Sequence, residues 1–333
     1  MSYIFIDEHG TVVGIKDNCI SIKYTDGMVK SVPVENVDGI YMFSSSQLTA
    51  QCVMECLKRG IGVSYFSKGG AYFGKLQSTG HINVQRQRKQ VHLYETAFSI
   101  ELSKRIIVGK IHNQEIVLKR YARSEKKSVD DLTIRMRNCM DNVKRGKTID
   151  EIMGYEGRAA KLYFEGLSRL VHEEFKFNGR SKRPPLDEFN SMLSLGYSIL
   201  MNEVYGMLEN KGLNPYFGFM HSDKEKHPTL ASDMMEEWRA IIVDSLVMSL
   251  VNGHEIHKEH FYHDLDCPGY YLTKEGLSIF LKKYDRKLRT VVNYLTYIDY
   301  SVSFRRSIDL QINELTKAIE EGDASLYTPI WLR

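Results

Sequence analysis

The sequence predicts an α+β protein, with an N-terminal β-rich domain carrying one helix and a larger all-α domain after it. Three observations carry that expectation. Short segments of period-two alternation, separated by turn residues, fill about the first eighty residues. From Val84 onward the apolar residues recur with helical spacing. Only 7 prolines and no Ser/Gly-rich tract interrupt the 333 residues, so no long linker is expected. That length suits two domains, placed at 1–83 and 84–333.

Strands are expected at 3–6, 11–13, 20–24, 29–34 and 39–43, with turns at Glu8-His9-Gly10, Lys16-Asp17-Asn18 and Thr25-Asp26-Gly27. A helix follows, capped by Ser45 or Ser46 and stopped at Gly60. Its apolar stripe is Leu48, Cys52, Val53, Cys56 and Leu57. Strands at 61–66 and 71–76 join at Gly69-Gly70. Helices are then expected at 84–126, 129–144, 148–176, 187–210, 229–252 and 274–321, with no repeat at solenoid spacing.

An apolar share of 43% excludes a disordered chain. The formal charge of +3 conceals an asymmetry: −1 over residues 1–74, +10 over 75–147 and −6 over 148–333. The basic block points to a polyanion, nucleic acid before membrane, or else to solvated helix faces. Cys19, Cys52, Cys56, Cys139 and Cys267 are scattered and form no zinc-type pair, so small core residues in a reducing cytosol are expected. Asp7-Glu8 stands where a signal peptide needs an apolar core, and no apolar run reaches membrane-spanning length. A cytoplasmic protein without membrane contact is expected.

Four segments could carry chemistry. In the first, Glu156 lies on a helix between Gly154 and Gly157, against an apolar side of Ile152, Tyr155, Ala159 and Leu162. Glycine beside a helical carboxylate costs about 1 kcal/mol relative to alanine. It is explained by close approach of a backbone or ligand, unless Glu156 is only a surface glutamate. In the second, an apolar turn from Asn214 leads into His221, either a ligand or a buried histidine satisfied by one hydrogen bond. In the third, Asp233 precedes Glu236 and Glu237 by one turn, and Arg239 follows, at the mouth of a buried helix. One imidazole with carboxylates suits Mg²⁺ or Mn²⁺ better than zinc. In the fourth, Arg180, Lys182 and Arg183 precede Pro184-Pro185 and a helix start, where cations oppose the helix dipole but suit phosphate. His254, His257, His260 and His263 are expected as solvated residues of a polar connection that includes Cys267, and most of the 20 tyrosines as core.

Together these segments resemble the CRISPR-associated protein one family, the metal-dependent DNA endonuclease/integrase of CRISPR adaptation. The matching pieces are EG-x-A-A-x-x-Y-F at 156–164, R-P-P-x-D-x-x-N-x-x-L-S-x-G-Y at 183–197, N-P-Y-x-G-F-x-H at 214–221 and L-A-x-D-x-M-E-x-x-R at 230–239. Tyr327-Thr328-Pro329 and Arg333 also match. The resemblance implies a metal site of Glu156, His221 and Glu236 holding Mg²⁺ or Mn²⁺, with Asp233 as an auxiliary acid. It implies a homodimer through the β domains and assembly with the small second CRISPR-associated protein. Strand transfer into the repeat would follow, with Arg239 steadying the scissile phosphate. Arg86 and Arg88 of the basic block, with Arg180, Lys182 and Arg183, would track double-stranded DNA. The charged stretch at 222–227 makes His227 a rival to His221. Branched-DNA hydrolysis and a non-catalytic DNA-binding scaffold are the alternatives.

Overall fold

The computed structural model describes residues 2–67, 70–264 and 268–333. Cys267 and Gly69 lie outside the described residues. The N-terminal lobe runs β1 (Ser2–Ile6), β2 (Val12–Lys16), β3 (Cys19–Lys23), β4 (Val29–Pro33), β5 (Val37–Met42), β6 (Gln47–Leu48), α1 (Ala50–Arg59), β7 (Gly62–Phe66) and β8 (Tyr72–Leu76). Two four-stranded sheets result. In one, β1, β5 and β7 are parallel and β8 closes the edge antiparallel. In the other, β4-β3-β2 is an antiparallel meander to which β6 adds in parallel.

Alternation along β5 sends its side chains to two different cores. Ile40 and Met42 join Ile4, Ile6, Val13, Ile20, Cys52, Cys56 and Val63 inside the lobe. Tyr41, with Phe43 and Phe66, faces the helices. The largely parallel sheet is thus covered on both faces, as such sheets require.

Helix α1 is capped by neither expected serine. The Ser46 hydroxyl donates instead to the Glu8 carbonyl, as does Ser44, and the cap is Thr49, whose Oγ1 accepts from the Cys52 N–H. Gly60 ends the helix in the left-handed region, as expected. Cys52 and Cys56 are fully buried, whereas Cys19 is only partly so.

The helical lobe begins at Val84. It contains α2 (Val84–His92), α3 (Ala97–Glu125), α4 (Asp130–Arg145), α5 (Ile149–Leu170), α6 (Glu188–Asn210), α7 (Thr229–Trp238), α8 (Ser245–Asn252), a hairpin of β9 (Phe261–Asp264) and β10 (Gly269–Leu272), α9 (Lys274–Arg289), a short pair of β11 (Val291–Val292) and β12 (Val302–Ser303), and α10 (Phe304–Glu321). Two expected helices are broken. The first breaks after His92, where Glu95 adopts φ 56° and Thr96 caps α3. The second breaks at the β11–β12 pair, after which Ser303 caps α10. A third, expected over 148–176, ends at Leu170. Helices α7 and α8 are continuous through a π-helical segment, Arg239–Asp244. Among the described residues no helix is long and apolar enough to cross a membrane.

Helix α3 forms the axis of this lobe, packing against α4, α5 and α7 through Leu102, Ile106, Ile107, Ile111 and Leu118. A buried ion pair of the helical lobe meets the N-terminal lobe through a cation–π contact. The Arg305 guanidinium of α10 donates to both Glu203 carboxylate oxygens of α6 at 2.9 and 3.1 Å. It also lies 4.5 Å over the ring of Tyr3 in β1.

Candidate active site

The site forms where α3, α5, α7 and the loop before α7 meet. Thr148 caps α5 by accepting from the Glu151 N–H, which fixes the helix that presents Glu156. A Cβ built on Gly154 or Gly157 meets nothing within 4 Å. No backbone among the described residues approaches closely there, and Glu156 itself is partly exposed.

The loop holding His221 is organised by Asp233. Its carboxylate accepts the backbone N–H groups of Phe219, Met220 and His221 at 2.7, 3.1 and 3.1 Å. His221 Nδ1 lies 2.6 Å from Asp233 Oδ1, so Nδ1 carries a proton and donates. Nε2 faces Glu236 instead, 3.6 Å from its Oε1. Gly218 makes this possible, because a Cβ there would lie 2.9 Å from Asp233 Oδ2. His221 stands between Asp233 and Glu236, which lie one turn apart on α7, and the hydrogen bonds Asp233 accepts commit it to the loop. His227 turns away, with Nε2 3.0 Å from Ser232 Oγ, so His221 is the imidazole beside Glu236.

Sequence reasoning missed Lys110. This α3 ammonium pairs with Glu156 and lies 2.6 Å from Glu236 Oε2. Only 6% of its side chain is exposed, and 4% of Glu236. Arg239 lies 3.1 Å from the other Glu236 oxygen, with its guanidinium over the Tyr197 ring. Burial alone would raise the Glu236 carboxyl; Arg239, then Lys110 and His221, overrule it and hold it well below the usual range. Burial likewise opposes charge on Lys110, but Glu236 and Glu156 keep the ammonium above its ordinary value. Burial also lowers His221, and the Asp233 bond outweighs that, for a net rise. A signal for Lys110 was available: 102, 106 and 107 precede it on one buried helical stripe. Tyr197 and Tyr163 donate to buried Asp244 at 2.5 and 2.9 Å, steadying the ring beneath Arg239.

The opposite side of α7 holds the C-terminal segment. Tyr327 Oη and the Ile330 N–H donate to Glu237 at 2.7 and 2.8 Å, and Gln311 Nε2 at 2.6 Å. Asn113 of α3 donates to the Ile330 carbonyl and accepts from the Leu332 N–H, both at 3.0 Å. A Cβ on Gly109 would stand 2.8 Å from the Pro329 Cβ, so a glycine is needed beside Lys110 for the segment to pass. Burial pushes the Glu237 carboxyl up to about 8.

The proposed DNA contacts divide. Lys182 and Arg183 are exposed and line a cavity of about 740 Å³ together with Tyr205, Tyr216, Lys226 and His227. Arg88 is exposed. Arg180 instead acts inside the fold, donating to Asn190 Oδ1 and Ser194 Oγ at 2.9 and 3.0 Å. Arg86 donates to the Lys211 carbonyl and pairs with Glu320. At the α6 start Asp187 caps the helix by accepting from the Asn190 N–H at 2.7 Å, which places a carboxylate there. Of the spaced histidines, His254, His257 and His263 are exposed, but His260 is buried and its Nδ1 accepts the His257 N–H. Among the described residues no three His, Cys, Asp or Glu side chains stand together as a metal-holding group. Here the two carboxylates meet across an ammonium.

A strand-rich lobe clasped to a helical lobe, with two carboxylates and an imidazole gathered from three elements, defines a class of two-lobed proteins with a buried acid–imidazole site. The family description "CRISPR associated protein Cas1" matches residues 4–286, and the chain belongs to that family. A CRISPR-associated endonuclease Cas1 of Mycobacterium tuberculosis H37Rv is 35% identical, over 93% of this chain and 94% of its own. A CAS1 protein from Thermotoga maritima has the same fold, with TM-score 0.80 and 25% identity over 97% of this chain and 98% of that one. A casposase bound to an integration product is similar in fold alone, with TM-score 0.86 and 22% identity over 100% and 95% of the chains.

Proposed function

We propose that this chain is a divalent-metal-dependent DNA endonuclease/integrase that inserts captured DNA fragments into a CRISPR array by transesterification. One observation carries the reading: Glu156 of α5 and Glu236 of α7 converge on the Lys110 ammonium, and His221 Nε2 lies 3.6 Å from Glu236. The donor set fits Mg²⁺ or Mn²⁺, with two hard carboxylates and a neutral Nε2 oriented by Asp233. A cation, the Lys110 ammonium, already stands between the carboxylates, which marks the place as one shaped for positive charge. Such a metal supplies Lewis-acid stabilisation of the phosphoryl oxygens and lowers the pKa of an attacking hydroxyl.

The chain's own residues do the rest. Asp233 keeps the His221 proton on Nδ1. Arg239, anchored on Tyr197 and Glu236, presents a guanidinium for the scissile phosphate. Lys182, Arg183 and Lys226 around the cavity, with Arg88, take the DNA backbone. The homodimer through the β lobes and the small second CRISPR-associated protein belong to the same proposal.

The test supplies labelled duplex with free 3′ ends and a repeat-containing plasmid. Joined product is expected, and its absence beside shortened strands overturns integration. A second reading, hydrolysis with water in place of the 3′-hydroxyl, is favoured by the endonuclease name of the 35% identical relative.

A further inference from the structure

We infer that Lys110 is a resident counter-cation of the carboxylate pair, and that it and a divalent metal exclude one another there. The inference rests on the metal reading above and goes beyond it. Its basis is charge and burial. Lys110 and Arg239 contribute two positive charges, Glu156 and Glu236 two negative ones, and all four side chains are at most 22% exposed. These four sum to zero, and Asp233 behind His221 brings the cluster to one negative charge with the imidazole neutral. Buried carboxylates with no cation between them would repel and pay the full cost of desolvation. Lys110 removes that difficulty and keeps the pair aimed at one point.

A divalent ion added to the same cluster, with His221 neutral, would turn that single negative charge into one positive charge in excess. In a low-dielectric setting that excess is unfavourable unless a cation leaves or an anion enters. The ammonium is the group able to leave. Its stem is flexible, its ion-pair partners among the described residues are the two carboxylates, and the Glu156 side chain is 15% exposed. Arg239 is braced by Tyr197 and stays. Lys110 thus closes the site before metal arrives, and the closed state lowers the metal's apparent affinity by the fraction of molecules in it.

The experiment is calorimetric titration of Mn²⁺ into the purified full chain, for wild type, Lys110→Met, Lys110→Gln and Glu156→Gln. Mn²⁺ binding on the order of tenfold tighter in Lys110→Met is expected. Equal or weaker binding there, with wild-type binding intact, overturns the exclusion and leaves the metal reading standing. Loss of binding in Glu156→Gln supports that reading; no binding in wild type overturns both. Should neither lysine variant fold, amine-acylation footprinting of the wild type decides the matter. Mn²⁺ is expected to expose Lys110 to the reagent, and unchanged or reduced labelling overturns the proposal.

Discussion

Glu236 and Glu237 are neighbours on α7, both buried, and they meet opposite fates. Glu236 faces Lys110, Arg239 and His221, and is kept charged well below the ordinary carboxyl range. Glu237 faces Tyr327, Gln311 and the Ile330 N–H, all neutral donors, and burial lifts it to about 8. Burial is common to the two; the difference lies in the charge of the surrounding groups. One side of the helix holds its carboxylate among cationic groups. The other is a structural clamp that holds the C-terminal segment across α3 and α7.

The largest test of that contrast is Glu156→Ala or His221→Ala. Strand transfer is expected to fall by roughly a thousandfold or more in each, the equivalent of several kcal/mol of transition-state stabilisation. DNA binding in a mobility-shift assay is expected to persist. Full activity would dissolve the cation-facing half of the comparison. Next is Glu237→Ala, which leaves three donors without acceptors and is expected to cost about 3 kcal/mol of stability by urea unfolding. The conservative Glu237→Gln probes the same group by pH. The folded carboxyl lies above its unfolded value of 4.5, so its contribution is full below 4.5 and lost as pH rises toward about 8. Replacing it is expected to flatten the stability profile in that window, relative to wild type.

Smaller effects sharpen the cation side. His221 must be neutral at Nε2 to act as a ligand, and it is held above its ordinary 6.5. Strand transfer is therefore expected to fail on acidification with a midpoint above that value, and Asp233→Asn to move the midpoint down. Lys182→Gln with Arg183→Gln is expected to reduce the salt slope of DNA binding by about one to two. Arg180→Gln, which loosens the α6 entry, is expected to lower stability more than the slope.

The order of the lobes and most strands were legible because alternation and turn residues are local signals. Gly60 is legible for the same reason. The α2–α3 break was not, since Leu93-Tyr94-Glu95-Thr96 holds neither Gly nor Pro and only the cap at Thr96 marks it. Glu156, His221 and Glu236 came from resemblance to a family, not from spacing, because each lies on a different element. Lys110 escaped because a lysine in an apolar stripe reads as an interruption until its two partners are seen. Asp233 was placed one turn before Glu236, but its hold on the His221 loop was not legible, because that loop is set by Gly218 and backbone amides. Arg180 and Arg86 were read as free cations, and their acceptors lie in distant or carbonyl groups that composition does not reveal.

The sheet of β1, β5, β7 and β8 lends one face to each core, and the Arg305–Glu203 pair closes over Tyr3. The composition boundary near residue 83 is consequently a poor place to cut. A fragment ending there would turn Tyr41, Phe43 and Phe66 out to water, and the remaining helices would keep a buried arginine stripped of its aromatic lid. The chain changes its architecture along its length and yet should melt as one piece.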